Sequence, residues 1–159
     1  KFAENSSIPV INLMTNYEHP CQILGDLITI KEKNKKFDKI TICYLGDSNN
    51  NVTNSLIYAC SILNVPLNIA CPIQKEFSVR DDVLKNAAKL SNDKNLIKIF
   101  NDPLKAVKQV DVVYTDSWMS YRIPKNQESR RIKILYNSFN ALILFSLVSR
   151  LCNEAIIKA

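Results

Sequence analysis

Lys39–Ser55 reads KITICYLGDSNNNVTNS. The first seven residues are mostly apolar and β-branched, and the run stops at Gly46-Asp47. A short continuous apolar run of this kind predicts a strand buried on both faces, as a parallel sheet requires. The polar stretch Gly46–Ser55 then predicts a turn, with an N-cap for a helix starting near Asn54.

Three other runs share that character: Val65–Cys71 (VPLNIAC), Leu96–Phe100 (LIKIF) and Val110–Thr115 (VDVVYT), the last ending at Asp116. Helical stretches alternate with them. Gln22–Lys33 precedes the first strand, with Ile23, Leu24, Leu27, Ile28 and Ile30 on one broad apolar face and Pro20 near its start, where proline is tolerated. Asn54–Leu63 follows the first strand and Arg80–Leu90 the second, with Asp93–Asn95 as the turn beyond it. Pro103–Gln109 follows the third strand, behind an Asn101-Asp102 cap. The order is helix, then β-α-β-α-β-α-β. It predicts an α/β fold: a doubly wound parallel sheet with right-handed crossovers.

The 159 residues are 47% apolar, enough for a packed core, and no run is long enough to span a membrane. The opening KFAENSS is too polar for a secretory signal, and the lack of a starting Met suggests a fragment. The net charge of +6 comes from scattered residues, mostly lysine. Only Lys31–Lys39 is dense, and it reads as the solvated end of a helix and a turn, so no nucleic-acid partner is expected. A basic interaction module built on that run is the weakest functional alternative. The five cysteines include no C-x-x-C pair and there is one histidine, so no zinc site is expected. Cys43, Cys60 and Cys71 sit in apolar runs as small hydrophobes. That pattern suits a reducing, cytoplasmic setting.

Ligands of such sheets bind beyond the carboxyl ends of the strands. Three polar segments gather there: Gly46–Ser55, Thr115–Ser120 (TDSWMS) and Glu18–Gln22 (EHPCQ). His19 and Gln22 stand three residues apart at a helix start, where both can donate to a carbonyl or phosphate oxygen. The alternative is a solvated loop histidine. GDSNNN has neither G-x-G-x-x-G nor a P-loop lysine. Asp116, closing a buried strand beside Trp118, needs water, a donor or a cation. It either receives a cationic ligand or caps the next turn.

In register, these segments resemble the transcarbamoylases, the ornithine branch most closely. The resemblance rests on PVINL at Pro9–Leu13, His19-Pro20-Cys21-Gln22, LGDLITIKE at Leu24–Glu32, YLGDSNNNVTNS at Tyr44–Ser55 and DVVYTDSWMS at Asp111–Ser120. It implies carbamoyl transfer from carbamoyl phosphate to the side-chain amine of ornithine, a step in arginine biosynthesis, with no metal or redox cofactor. It implies that His19 and Gln22 contact the carbamoyl group, His19 steadying the oxyanion. Asn51 would hold the α-carboxylate end of ornithine, Asp116 its α-amino group, and Ser120 would be a further contact. It also implies a division: residues 1–21 end the connection from a carbamoyl-phosphate domain, and 22–159 form the amino-acid-binding domain, atypical from about 121. A homotrimer is implied where the other domain is present.

The chain departs from the family in three places. The phosphate-gripping loop of the first domain is absent. Ser120-Tyr121-Arg122 replaces Ser-Met-Gly. Near the end, Ala141–Leu144 either forms the strand leading to Phe145–Val148, where the family has His-Cys-Leu-Pro, or Ala141–Ala159 forms an amphipathic terminal helix. The competing function is accordingly a pseudoenzyme that binds a ligand or partner without turnover.

Overall fold

The computed structural model describes residues 2–33, 36–117 and 123–139, and the backbone of 156–158. β1 (Ile42–Leu45) is the central strand of a five-stranded sheet. β2 (Leu67–Ala70) and then β3 (Ile97–Phe100) lie on one side of it. On the other side lie β4 (Val112–Thr115) and β5 (Ile156–Lys158). All four pairings are parallel, with Tyr44 opposite Ile69 on β2 and Tyr114 on β4. The predicted doubly wound α/β fold is the fold found.

The helices are α1 (Pro20–Glu32), α2 (Asn51–Leu63), α3 (Asp81–Ala87), α4 (Pro103–Ala106) and α5 (Glu128–Phe139). The two-residue period of the strands sorts side chains between two faces. Ile42, Tyr44, Leu67, Ile69, Val112 and Tyr114 form one core with Ile23, Leu27 and Ile30 of α1, Leu56, Ile57 and Cys60 of α2, and Val83 of α3. Cys43, Leu45, Ala70 and Val113 form the other, against Ala106 of α4 and Leu135 and Phe139 of α5. Each fully buried aliphatic side chain contributes about 1.5–3 kcal/mol. Cys43, Cys60 and Cys71 are buried as expected, and burial pushes the Cys60 thiol up to about 12.

Several expectations need correction. α2 begins at Asn51, three residues before the predicted start, because Asn50 takes the cap: its side chain accepts from the Thr53 N–H. Asn51–Ser55 is therefore the first helical turn rather than a loop. That helix ends on Asn64 in the left-handed region, at φ 52°, a conformation asparagine tolerates better than most residues. On α1, Leu24 and Ile28 are 59% and 58% exposed. The buried stripe is Ile23, Asp26, Leu27 and Ile30, and one step of about 100° carries each exposed neighbour off it. β3 is not buried on both faces; Lys98 and Ile99 are exposed, as befits an edge strand. α3 and α4 are shorter than predicted, α4 starting behind Asp102, whose carboxylate caps the Leu104 N–H.

α5 lies in a stretch for which no element was predicted. Ala141–Leu144 lies outside the described residues. The terminal-helix alternative fails at Ile156–Lys158, which runs as a strand, with Ile156 opposite Val113 on β4.

Candidate active site

The carboxyl ends of β1 and β4 lie side by side, and each carries a tyrosine on the same face. The Tyr44 and Tyr114 rings stack at 6.0 Å between centroids. Both are buried, and burial pushes both phenols well above their ordinary range. Each therefore serves as a neutral hydrogen-bonding post.

Tyr44 supports the turn after β1. Its hydroxyl donates to the Asp47 carbonyl at 2.8 Å and accepts from the Asn50 amide at 3.1 Å. The Asn50 amide also donates to the Asp47 carbonyl at 2.6 Å. Gly46 takes φ 144°, which a side chain would disfavour. The Asp47 carboxylate then accepts from the Asn49 N–H at 3.0 Å. The Ser48 hydroxyl and the Asn49 amide donate to the carbonyls of Phe77 and Glu76, at 2.6 and 3.1 Å. The three consecutive asparagines thus have different tasks: Asn49 ties the turn to the 75–77 segment, Asn50 caps α2, and Asn51 faces the loop before α1.

Tyr114 supports α1. Its hydroxyl donates to Asp26 Oδ2 at 2.6 Å. The Gln22 amide donates to both Asp26 oxygens, at 3.1 and 3.2 Å. Gln22 and Asp26 are one helical turn apart, so they share a face. His19 and Gln22 were the expected donors, but the NH2 of Gln22 is committed to Asp26.

His19 occupies the N-cap position of α1 without capping it through its side chain. Its backbone N–H donates to Ser55 Oγ at 2.9 Å. The half-buried ring has Nδ1 enclosed and without a hydrogen-bond partner among the described residues. Asn51 Nδ2 donates to the Thr15 carbonyl at 2.7 Å, so its amide already has a partner here.

Asp116 follows β4 and is half-buried. Burial pushes its carboxyl above the usual range, and Asp47 and Asp26 push in the same direction, while the Ser117 N–H and His19 pull it back. Asp116 therefore lies within electrostatic reach of His19, Asp26 and Asp47. Asp47 is neutralised by its buried pair with Arg131, so the acidity left beside Asp116 is that of Asp26. The sequence-predicted His19, Gln22, Asn51 and Asp116 all lie at this edge of the sheet; Ser120 lies outside the described residues.

Sequence reasoning did not single out Tyr44, Asp26, Tyr114, Asn54 and Ser55 as supports of these segments, nor Arg131 as a partner of Asp47. The i, i+4 spacing of Gln22 and Asp26 was a usable signal. Arg131, whose guanidinium pairs with Asp47, comes from a distant helix and has no local signature. No group of three metal-ligating side chains occurs among the described residues, and no described helix is long and apolar enough to cross a membrane.

Two family models match. The Asp/Orn binding domain of aspartate/ornithine carbamoyltransferase matches residues 38–141, and the carbamoyl-P binding domain of the same family matches residues 1–32. An ornithine carbamoyltransferase from Prochlorococcus marinus is 41% identical over 99% of this chain and 49% of its own length. One from Thermosynechococcus vestitus is 42% identical over 75% of this chain and 37% of its own. Among solved structures, the Pyrococcus furiosus ornithine carbamoyltransferase superposes with a TM-score of 0.74 at 36% identity, over 86% of this chain and 42% of that one. The anabolic enzyme of Campylobacter jejuni gives 0.75 at 32% identity, over 99% and 50%. The chain spans about half the length of the curated relatives it matches. With the sheet order, the Asn-rich turn and the matched regions in agreement, the chain belongs to the aspartate/ornithine carbamoyltransferase family.

Proposed function

We propose that this chain supplies the ornithine side of a carbamoyltransferase. The neutral side-chain amine of ornithine attacks the carbamoyl carbon of carbamoyl phosphate. A C–N bond forms, the C–O bond to phosphate breaks, and the amine loses a proton, giving citrulline and phosphate. His19 donates to the carbonyl oxygen as negative charge develops there. Gln22, with its NH2 held by Asp26, offers its amide oxygen to the carbamoyl NH2. Asp116 receives the α-ammonium, and Asn51 exchanges the Thr15 carbonyl for the α-carboxylate. Ser120 is a further ornithine contact. The observation that supports this reading is that His19 and Asp26, the partner of Gln22, both lie within electrostatic reach of Asp116 at one edge of the sheet.

Residues 1–21 end the connection from the carbamoyl-phosphate domain, and 22–159 form the amino-acid-binding domain. By packing, α1 goes with the second, since Ile23, Leu27 and Ile30 are part of its core. The carbamoyl-P match itself runs on to residue 32. With the remaining domain the active unit is a cytoplasmic homotrimer.

The test is calorimetry of ornithine binding to this chain, with and without carbamoyl phosphate, beside Asp116→Ala. Binding that disappears in the variant supports the reading. Binding that Asp116→Ala leaves intact removes Asp116 from the site. If neither ligand binds even a full-length protein, the pseudoenzyme reading stands.

A further inference from the structure

The first turn of α2 holds the loop that carries His19 by its backbone. Asn51 Nδ2 donates to the Thr15 carbonyl at 2.7 Å, and Asn54 Nδ2 to the Tyr17 carbonyl at 2.8 Å. Ser55 Oγ accepts from the His19 N–H at 2.9 Å. These bonds span 36 to 37 positions of sequence, and the loop side of every one is main chain. Asn54 and Ser55 are 2% and 6% exposed, so neither faces a ligand directly. Buried side-chain polar groups that spend their bonds on the main chain of one loop determine where that loop lies. Among the described residues the ring of His19 has no such support at Nδ1, so what fixes its placement here is its backbone.

We infer that Asn54 and Ser55 are positioning residues for His19, setting the imidazole where the proposed function needs it. The inference rests on that function for its purpose, though the positioning itself can be read without turnover. Ser55 fixes the His19 N–H, and Asn54 fixes the carbonyl two residues earlier. The two peptide planes that lead into His19, on either side of Glu18, are therefore restrained from the same helix. Catalytic groups must be held to within a fraction of an ångström by neighbours that are themselves locked. Asn54 and Ser55 are locked by the helix that Asn50 caps.

His19 is the only histidine in the chain, so its imidazole gives one unambiguous resonance. The experiment records the His19 Cε1–H signal and the exchange rate of the His19 amide in the wild type, Ser55→Ala, Ser55→Thr, Asn54→Ala and Ser61→Ala. Ser61 is equally buried on α2, and its hydroxyl bonds to nothing in that loop. Each sample is then titrated with carbamoyl phosphate. Ser55→Ala and Asn54→Ala are expected to shift or broaden the imidazole line. In Ser55→Ala the His19 amide should exchange roughly fivefold to tenfold faster, the loss of one hydrogen bond. Ser55→Thr, which keeps the hydroxyl, restores both readouts, and Ser61→Ala changes neither.

An unaltered imidazole line in both folded alanine variants overturns the positioning role. So does an equal change in Ser61→Ala, which would make the effect one of general packing. A wild-type line that ignores carbamoyl phosphate, both in this chain and after the phosphate-gripping domain is supplied, removes the proposed carbonyl contact and leaves the positioning result standing. The two failures are therefore separable.

Discussion

Arg131 and Asp47 lie 84 positions apart and form a buried ion pair at 2.5 Å, with their side chains 6% and 4% exposed. Arg131 also reaches Glu76 at 3.0 Å and stacks over Phe77 at 4.3 Å. The pair joins α5, the helix after the Asp116 segment, to the turn that carries the asparagines.

Removing one partner of a buried pair leaves the other charge stranded. Arg131→Ala is expected to cost about 3–5 kcal/mol of stability, read by urea unfolding. Arg131→Lys should recover only part of this, because an ammonium cannot reach two carboxylates as a planar fork. A loss below about 1 kcal/mol would mean that Asp47 is not stranded by the change.

The proposed ornithine contact at Asp116 carries a stability cost. Its carboxyl is raised above 3.8, chiefly by burial. The folded state thus holds the proton more tightly than the unfolded one, and stability falls as pH climbs from 3.8 through the folded value. Asp116→Asn should therefore unfold at higher urea than the wild type at pH 7, while losing ornithine. Unfolding curves at pH 7 and pH 3, beside calorimetry, check both halves; a less stable variant at pH 7 contradicts the sign.

The acid limb has the opposite slope at Asp82. Arg80 bonds it through two nitrogens, Tyr17 donates to it as well, and its carboxyl is held down to about 2. Stability from this depressed group is present above 3.8 and drains away as pH falls toward 2. The difference in melting temperature between wild type and Asp82→Asn should close across that window. A constant difference from pH 5 to pH 2 would rule the coupling out.

Tyr114→Phe removes one donor from buried Asp26 and leaves, among the described residues, the Gln22 amide on it. The expected cost is about 1–3 kcal/mol. A matching loss of carbamoyl phosphate affinity is expected because Gln22 is oriented through Asp26. Calorimetry with folded Tyr114→Phe checks the link, and unchanged affinity would break it.

Gly25 sits inside α1, and a methyl group there would meet nothing within 4 Å. Gly25→Ala should stabilise the chain by about 0.5–1 kcal/mol through helix propensity. Thermal melting measures it.

Four of the sheet's five strands were legible because they are short apolar runs, three of them ending at Gly46, Pro72 and Asp116, and because helices alternate with them; β5 was not predicted. The edge character of β3 was not, since LIKIF reads like a buried strand and only its place in the sheet exposes Ile99. His19, Gln22, Asn51 and Asp116 could be proposed from sequence because each lies next to an element boundary. Their supports were hidden for two reasons. Tyr44 and Tyr114 read as ordinary core residues until their hydroxyls are followed to Asp47 and Asp26. Ser55 and Arg131 act on partners 36 and 84 positions away, a distance no local pattern encodes.

The central position of β1 has a consequence for synthesis. Its second neighbour, β4, pairs with it across 70 positions, as the Thr41 to Asp111 hydrogen bond also shows. At a ribosomal rate of about 5–20 residues per second, that edge of β1 waits roughly 4–14 s for its partner. Throughout that interval Ile42–Leu45 offers an open apolar edge to any other nascent strand. Chains arrested just before residue 112 should therefore engage holdase chaperones more than chains arrested well after it, and equal capture of the two lengths would show that the edge is already covered.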